Sequence, residues 1–558
     1  MEIRELILRE LEETLKKLGV EVPKIEIERP SNPLNGDYSS NVAMVAFKKI
    51  KIPTSLLVKF PEIAKTNKDS VMQPLTLARY LAEELSVKYK TQNIFAKIEA
   101  VGVGFINFYL SKEYLQNQVG EIIKAGDQYG SIDIGKRQKA SVEYISANPT
   151  GPLHIGNARG GPIGDVMANV LEKAGYKVTR EYLHNNVGGQ VKKLGEAIYY
   201  RLHLDEKPEE EISYQGDYIK DLAVQVQNKL GSNSKDLNKE EFSKQAGEIA
   251  VEILFKEILD DAKAMGIKFD KVVVESELKK EAPEVIKTLK NTKQQDGALW
   301  FAPNDEFLKD RETVLKKSDG EYTYFASDIV YHKQKCEEND LVVDVLGANH
   351  SGHVPRLKAA VKALGFNQDK LSVILYQFVR IKRGQEILKM SKRAGNFITA
   401  REVLDEVGKD AFRFFLLMHK PQSHIDFDLE LAKKKANDNP VFYVQYAHSR
   451  ICSIFKKAGG VDLEDADLSL LREKEEIVLI RHLLKLSDIV KEVVSTQAMN
   501  AFTSYATEIA SLFHGFYEAH QVLDQKELTK PRLALLKATQ ITLKNTLSIL
   551  GVEAPERM

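Results

Sequence analysis

Apolar residues recur at helical spacing from the first turn of the chain. Ile3, Leu6, Ile7, Leu11, Leu15 and Leu18 fall on one face, charged residues fill the other, and Gly19 supplies a stop. This predicts an amphipathic helix over residues 1–18. The turn-rich Pro33-Leu34-Asn35-Gly36-Asp37-Tyr38 and the strand-like Gly104-Phe105-Ile106-Asn107-Phe108-Tyr109-Leu110 complete a small α+β module. The pattern then changes. Val142 to Ser146 reads as a buried strand, and Asn148-Pro149-Thr150-Gly151-Pro152 ends it, because each proline removes a donor and disfavours helix before it. From about Ala158, the residues Ile163, Val166, Met167, Val170, Leu171 and Ala174 mark a helix, Gly175 stops it, and Val178 to Tyr182 resumes as a strand. Strand, helix and strand make a βαβ unit. Leu341 to Gly347 and Leu371 to Tyr376 are near-continuous apolar runs, as in parallel strands covered on both faces. The fold expected is α/β, a Rossmann-like doubly wound parallel sheet. Residues 195–310, charged and helical, with the acidic Glu206 to Glu211 and a long pattern around Val251 to Met265, read as an insertion between its halves. From about Val403 the chain is helical to its end. Ile477, Ile480, Leu484, Val490, Val493 and Val494 form stripes, and a last helix opens at Pro531, carries Leu536, Leu543, Leu547 and Leu550, and closes at Gly551.

At 558 residues the chain exceeds one core, and three or four domains are expected. Lysine plus arginine and aspartate plus glutamate both number 80, so a nucleic-acid partner must be met by a local basic surface. Cys336 and Cys452 lack any metal-ligand spacing, which excludes a disulfide framework and fits a reducing compartment. No apolar run is long enough to span a bilayer, and residues 1–18 do not resemble a signal peptide. A cytoplasmic protein with no membrane association is expected.

Chemistry concentrates in three places. His154-Ile155-Gly156-Asn157-Ala158-Arg159-Gly160-Gly161 sits where strand meets helix. Its glycines are expected to admit a ligand to the backbone, and the helix start favours an anion. Lys389-Met390-Ser391-Lys392-Arg393-Ala394-Gly395-Asn396 is a basic loop with a glycine hinge and no apolar period. Tyr443, Gln445, Tyr446, His448 and Arg450 crowd aromatic and polar groups into one helix, a mixture suited to stacking and reading unpaired bases.

The first two segments, in this order and on such a sheet, resemble the two signatures of class I aminoacyl-tRNA synthetases. Ser146-Ala147-Asn148-Pro149-Thr150-Gly151-Pro152-Leu153-His154 and Asn185-Asn186-Val187-Gly188-Gly189-Gln190 narrow the resemblance to the arginyl-tRNA synthetase family. Tyr324 to Ile329, Val441 to His448 and the ending Leu550 to Met558 extend it over essentially the whole chain. Two positions depart from the family pattern. Asn157 stands where histidine is usual, and Gly347-Ala348-Asn349-His350 replaces Gly-Ala-Asp-His.

The resemblance implies a tRNA-contacting domain at 1–110, a class I catalytic domain at 111–405 and an all-helical anticodon-binding domain at 406–558, which Asp410 to Leu416 also resembles. It implies activation of L-arginine by ATP, with Mg2+ accompanying the nucleotide, and transfer of the arginyl group to the 3′-terminal adenosine of tRNA(Arg). His154, Asn157, Lys389 and Lys392 are the implied catalytic residues; Gly151, Pro152, Gly156, Met390 and Ser391 join them in binding ATP. Glu143 and Asp328 fall on the positions that hold the guanidinium, Tyr324 adds a hydroxyl, Asn148 holds the head group, and Asn349 and His350 assist. Tyr443, Gln445, Tyr446 and Arg450 are implied to contact tRNA. A monomer is expected, and no dedicated carboxylate cage for a metal is visible.

The chemistry fits these residue types. Attack of a carboxylate on the α-phosphorus builds negative charge, which preorganised donors and cations stabilise without a covalent nucleophile. A guanidinium's fork of donors matches carboxylates. A non-catalytic tRNA-binding relative would lack Lys389 and Lys392. A small adenylyl-transferring ligase would end near the sheet; a synthetase for another amino acid is the nearest competitor, and the paired Glu143 and Asp328 favour a cationic substrate.

Overall fold

A computed structural model describes residues 3–21, 24–30, 32–49, 73–203, 212–231, 237–303, 308, 312–384, 386–388 and 398–558. Glu206 to Glu211 and the loop carrying Lys389, Met390, Ser391 and Lys392 lie outside the described residues. The chain divides into two compact units. One comprises Met1–Ala125, Gly460–Leu484 and Gly515–Ala538, and the other comprises Gly126–Gly459, Lys485–His514 and Thr539–Met558.

In the first unit, the helix Ile3–Lys17 buries Ile3, Leu6, Ile7, Leu11 and Leu15, the face expected. A four-stranded antiparallel sheet is built from Ile27–Glu28, Tyr38–Ser40, Phe105–Leu110 and Phe95–Val101, in that spatial order. Late segments of the chain complete the unit. Gln116 donates to the carbonyls of Leu471 at 2.8 Å and Ser469 at 3.1 Å, and Arg532 donates to buried Glu476 at 2.9 Å.

The second unit carries the sheet. Strands β1 (Lys139–Glu143), β2 (Lys177–His184), β3 (Lys271–Val274), β4 (Leu341–Gly347) and β5 (Leu371–Tyr376) are all parallel, in the order β5-β4-β1-β2-β3. Chain order therefore reverses between β1 and β4, and the crevice at the carboxyl ends of those two strands is where ligands bind in such sheets. β4 and β5 match the apolar runs residue for residue. β1 ends three residues earlier than expected, because Ile145 and Ser146 adopt φ of 65° and 37° and turn the chain out of the sheet. The insertion is also less separate than expected: β3, from the short run Lys271-Val272-Val273-Val274, is the edge strand of the sheet.

Helices α1 (Ile155–Ala158) and α2 (Gly160–Lys173) follow the first strand. Within the insertion, α3 (Gly189–Leu202) and α4 (Lys239–Ala264) cross where neither has a side chain. A Cβ on Gly195 would stand 1.7 Å from the Ser243 carbonyl oxygen, and one on Gly247 would stand 2.4 Å from that of Val191. Further on lie α5 (Tyr324–Glu338), α6 (Lys409–Leu417), α7 (Pro440–Ala458) and the final helix α8 (Thr529–Leu550). Arg413 on α6 is fully buried. It donates to Asp165 Oδ2 on α2 at 2.5 Å, to the Leu550 carbonyl at 2.8 Å and to the Met265 carbonyl, just past α4, at 3.1 Å.

Because the contact at Gly195 is with backbone, the helices must separate to admit even a methyl group. Gly195→Ala is expected to cost about 1–3 kcal/mol or more by overpacking. A guanidinium titration reads this directly, and an unchanged midpoint would show that the two helices move apart freely.

Candidate active site

The site grows from the end of β1. After the two left-handed residues, Ser146 Oγ accepts the Leu183 N–H at 3.0 Å and the Tyr182 hydroxyl donates to the Ala147 carbonyl at 2.8 Å, so β2 pins the reversal. Left-handed backbone at two non-glycine residues is costly and persists only when neighbours enforce it. Asn148 emerges exposed at the strand ends. Its amide donates to Gln190 at 3.0 Å and its oxygen accepts from Asn185 at 3.3 Å, which joins the Asn185 to Gln190 segment to the signature turn. The Tyr218 hydroxyl donates to the Thr150 carbonyl at 2.8 Å and closes over Gly151.

The next residues pair with the chain that follows the second signature, whose own residues lie outside the described ones. Ala400 donates its N–H to the Leu153 carbonyl at 2.7 Å, Ile155 donates to the Ile398 carbonyl at 3.2 Å, and His154 bridges Thr399 in antiparallel fashion. Residues 398–400 directly follow the basic loop, so its far root is hydrogen-bonded to the histidine turn. A capping box between Thr399 and Glu402 fixes that root, and Arg401 reaches Asp261 at 2.9 Å.

His154 caps α1 with its own ring. Nδ1 accepts the Gly156 N–H at 2.9 Å, which leaves the proton on Nε2 and makes that nitrogen a donor. A Cβ on Gly156 would meet the ring at 2.6 Å, so the position of the histidine itself requires glycine here. The next two glycines also differ from expectation. A Cβ on Gly160 would lie 2.9 Å from Tyr376, one on Gly161 would lie 2.8 Å from Ile267, and one on Gly164 would lie 2.2 Å from Tyr144. Their service is close packing of α2 on the sheet. Asn157 is half-buried, and its carbonyl accepts the Tyr376 hydroxyl at 3.3 Å.

Arg159 had no role assigned from the sequence. Its guanidinium is fully buried and donates to the carbonyls of Gln377 and Ser423 at 2.7 Å each and of Lys420 at 3.0 Å. Burial lowers its pKa to about 10.

Opposite this turn stand the residues expected to hold a cation. Tyr324 opens α5 and is 60% exposed; Asp328, one turn on, contacts His353 Nε2 through Oδ2 at 3.0 Å. Asn349 and His350 are exposed just beyond β4. Glu143, the last residue of β1, is buried and ion-paired with Lys335 of α5, which also donates to Asp344 of β4 at 2.7 Å. Burial pushes the Glu143 carboxyl up, and the Lys335 ammonium opposes that shift. Lys335 lies seven residues after Asp328, on the same helical face; that spacing was the only sequence signal for it.

On α7 the expected residues separate. Tyr443, Tyr446 and Arg450 share one side, with Arg450 donating to the Tyr446 hydroxyl at 3.2 Å and Tyr443 packed 5.0 Å from the His514 ring. Gln445 faces elsewhere, with its amide committed to Asp410 at 2.7 Å and the Glu553 carbonyl at 3.0 Å.

Residues 1–110 match the family described as the arginyl tRNA synthetase N terminal domain, residues 118–436 that of the class I (R) tRNA synthetase catalytic domain, and residues 444–558 that of the DALR anticodon binding domain. An arginine–tRNA ligase of Caldanaerobacter subterraneus subsp. tengcongensis is 41% identical, covering 100% of this chain and 98% of that relative. One from Staphylococcus epidermidis is 38% identical over 100% of this chain and 99% of its own. The solved arginyl-tRNA synthetase of Thermus thermophilus shares the fold over the full length of both chains, with a TM-score of 0.76 at 21% identity.

The three carbonyls that meet Arg159 have no substitute donor if the guanidinium is removed. Arg159→Met is therefore expected to lower stability by about 3 kcal/mol or more, as buried acceptors lose charged donors. Urea unfolding checks this, and a wild-type midpoint would mean the carbonyls find other partners.

Proposed function

The chain belongs to the arginyl-tRNA synthetase family of class I, and from that premise we propose that it activates L-arginine with ATP and transfers the arginyl group to the 3′-terminal adenosine of tRNA(Arg). The observation that supports this reading is the backbone pairing of residues 153–155, in the histidine signature, with 398–400, which follow the lysine segment in sequence. The arginine carboxylate attacks the α-phosphorus in line and pyrophosphate leaves; the tRNA hydroxyl then attacks the adenylate carbonyl and AMP leaves. His154 Nε2–H and Asn157 are the fixed donors to the phosphates, lined by Gly151, Pro152 and Gly156. Lys389 and Lys392, with Met390 and Ser391, act from the loop, and its closure would make them count chiefly in the transition state.

In the same reading Asp328 and Glu143 hold the guanidinium, Tyr324 adds its hydroxyl, Asn148 takes the head group, and Asn349 and His350 border the site. Tyr443, Tyr446 and Arg450 contact tRNA bases, while Gln445 acts beneath them by holding α7 to Asp410. Domains at 1–110, 111–405 and 406–558 divide the labour between tRNA contact, catalysis and anticodon binding. Among the described residues no group of three or more metal-ligating side chains is present, so Mg2+ would arrive on the ATP phosphates and no step here runs through it. A monomer in the cytoplasm fits a chain in which no described helix is long and apolar enough to cross a membrane.

Pyrophosphate exchange with each amino acid, run with and without tRNA, tests the reading. The resembled family needs tRNA before activation, so exchange is expected with arginine alone among the amino acids, and only when cognate tRNA is present. Exchange with another amino acid would overturn the assignment.

Lys392→Ala is expected to slow single-turnover adenylate formation about a hundred- to a thousand-fold, the usual effect of losing one preorganised transition-state donor, with arginine binding retained. An unchanged rate would remove the loop from the chemistry.

A further inference from the structure

Behind the Asp328 turn lies a row of buried ionisable groups, of which the proposed reaction uses only Glu143. From α5 come His332 and Lys335, from β1 Glu143, from β4 Asp344 and from β2 Glu181, all 5% exposed or less. His332 has acceptors on both ring nitrogens. Nδ1 lies 2.7 Å from the Asp328 carbonyl oxygen and Nε2 lies 2.7 Å from Asp344 Oδ2. Neither partner can donate when Asp344 is ionised, so both nitrogens must carry protons and the ring is an imidazolium. Lys335 then bridges the other oxygen of Asp344 and Glu143 Oε2. Two cations face two carboxylates. The fifth group, Glu181, accepts the Tyr331 hydroxyl at 2.6 Å and lies 3.9 Å from Lys271.

We propose that Lys335 and His332 are positioning residues for arginine: Lys335 keeps Glu143 ionised in a dry site, and His332 ties the Asp328 turn of α5 to the same carboxylate array. This rests on the reading that Glu143 and Asp328 hold the guanidinium.

The reasoning is one of charge. A carboxylate withdrawn from water takes up a proton unless a cation compensates it, and a neutral carboxyl cannot accept the two parallel bonds a guanidinium offers. Burial already raises Glu143, and Lys335 alone among its neighbours opposes this with a full charge, while Asp344 adds to the rise. Burial would likewise lower His332 and Lys335, but the surrounding carboxylates, Asp344 foremost, bring both above their ordinary values. Geometry adds the mechanical part. Asp328, His332 and Lys335 occupy successive turns of one face of α5, so the array fixes the rotation of the helix that presents Asp328 and Tyr324 to the substrate.

The test compares Lys335→Met and Lys335→Arg in steady-state aminoacylation, with arginine KM, ATP KM and kcat followed from pH 6.5 to 8.5. Lys335→Met leaves Glu143 and Asp344 without their shared cation, and one of them takes a proton. Arginine KM should then rise at least about tenfold at pH 7, the effect of one pKa unit of lost interaction. The rise should shrink as pH increases and the carboxyl ionises, with ATP KM unchanged; Lys335→Arg should keep the flat profile of the parent. Equal, pH-independent losses in both variants, or no change in arginine KM, would overturn the proposal. Glu143→Gln runs in parallel. If it leaves arginine KM unaltered, the site reading fails; if it raises KM while Lys335→Met does not, the positioning role alone fails. Should Lys335→Met not fold, 15N-histidine spectra of the parent decide. One ring doubly protonated up to pH 8 is expected, and its absence overturns the array.

Discussion

A guanidinium taken out of water must have its donors met, and two such groups hold the helix on which the site depends. At the start of α2, Arg159 is fixed by three carbonyls from residues 377, 420 and 423; in its second turn, Asp165 accepts from fully buried Arg413. Removing either partner of such a pair strands a charge or a set of acceptors in a dry interior, which is far costlier than losing a surface ion pair. The helix therefore has one permitted placement relative to residues 377 and 420–423, to the end of α4 and to the end of α8. The histidine turn that α2 extends inherits this placement.

That rigidity divides the carboxyl edge of the sheet electrostatically. On the α1 side stands a donor, the Nε2–H of His154. On the α5 side, acceptors converge: Asp328, Glu143 and the carboxylates behind them. A substrate that is cationic at one end and must meet a polyanionic nucleotide at the other is complementary to such a division. Low local dielectric makes the division effective, since preorganised charges act there with little screening. In the role proposed for it, Glu143 acts only while it remains ionised, and Lys335 is the cation paired with it.

Elements carried by local pattern were legible in the sequence. The amphipathic first helix, β4, β5 and the order strand, turn, helix, strand all follow from spacing within a few residues of one another. So does the histidine turn, whose residue types are dictated by chemistry. What could not be read depends on partners far apart in sequence. Glu143 meets Lys335 across 192 positions and Asp165 meets Arg413 across 248, and neither cation stands out in a chain so rich in charge. The strand β3 escaped because four residues inside a helical, charged stretch give too short a pattern. Gly156, Gly160 and Gly161 were read as room for a ligand, and each also makes room for a side chain of the protein: the His154 ring, Tyr376 and Ile267. Sequence shows that a backbone must be approached closely there, but not by what.

The same buried contacts bear on how a signal from tRNA would reach the chemistry. The tail after α8 lies on α7: Gln445 donates to the Glu553 carbonyl, and Ser449 donates to the Pro555 carbonyl at 2.8 Å. A few residues earlier, the Ile549 carbonyl accepts from Asn169 of α2 at 2.9 Å and the Leu550 carbonyl accepts from Arg413. The helix proposed to meet tRNA bases is thus joined through one short segment to the helix that extends the histidine turn. Gly551, with φ of 66°, is required at the turn in that segment, because a Cβ would stand 2.2 Å from the Arg413 guanidinium. A continuous path is not itself coupling. tRNA shifts the active arrangement only if it binds that arrangement more tightly than the other, by about 1.4 kcal/mol for each tenfold change in population. The short segment makes such a difference possible, since a displacement of α7 too small to break its own packing must still move two carbonyls that α2 and Arg413 hold, and a buried charged donor tolerates little loss of geometry.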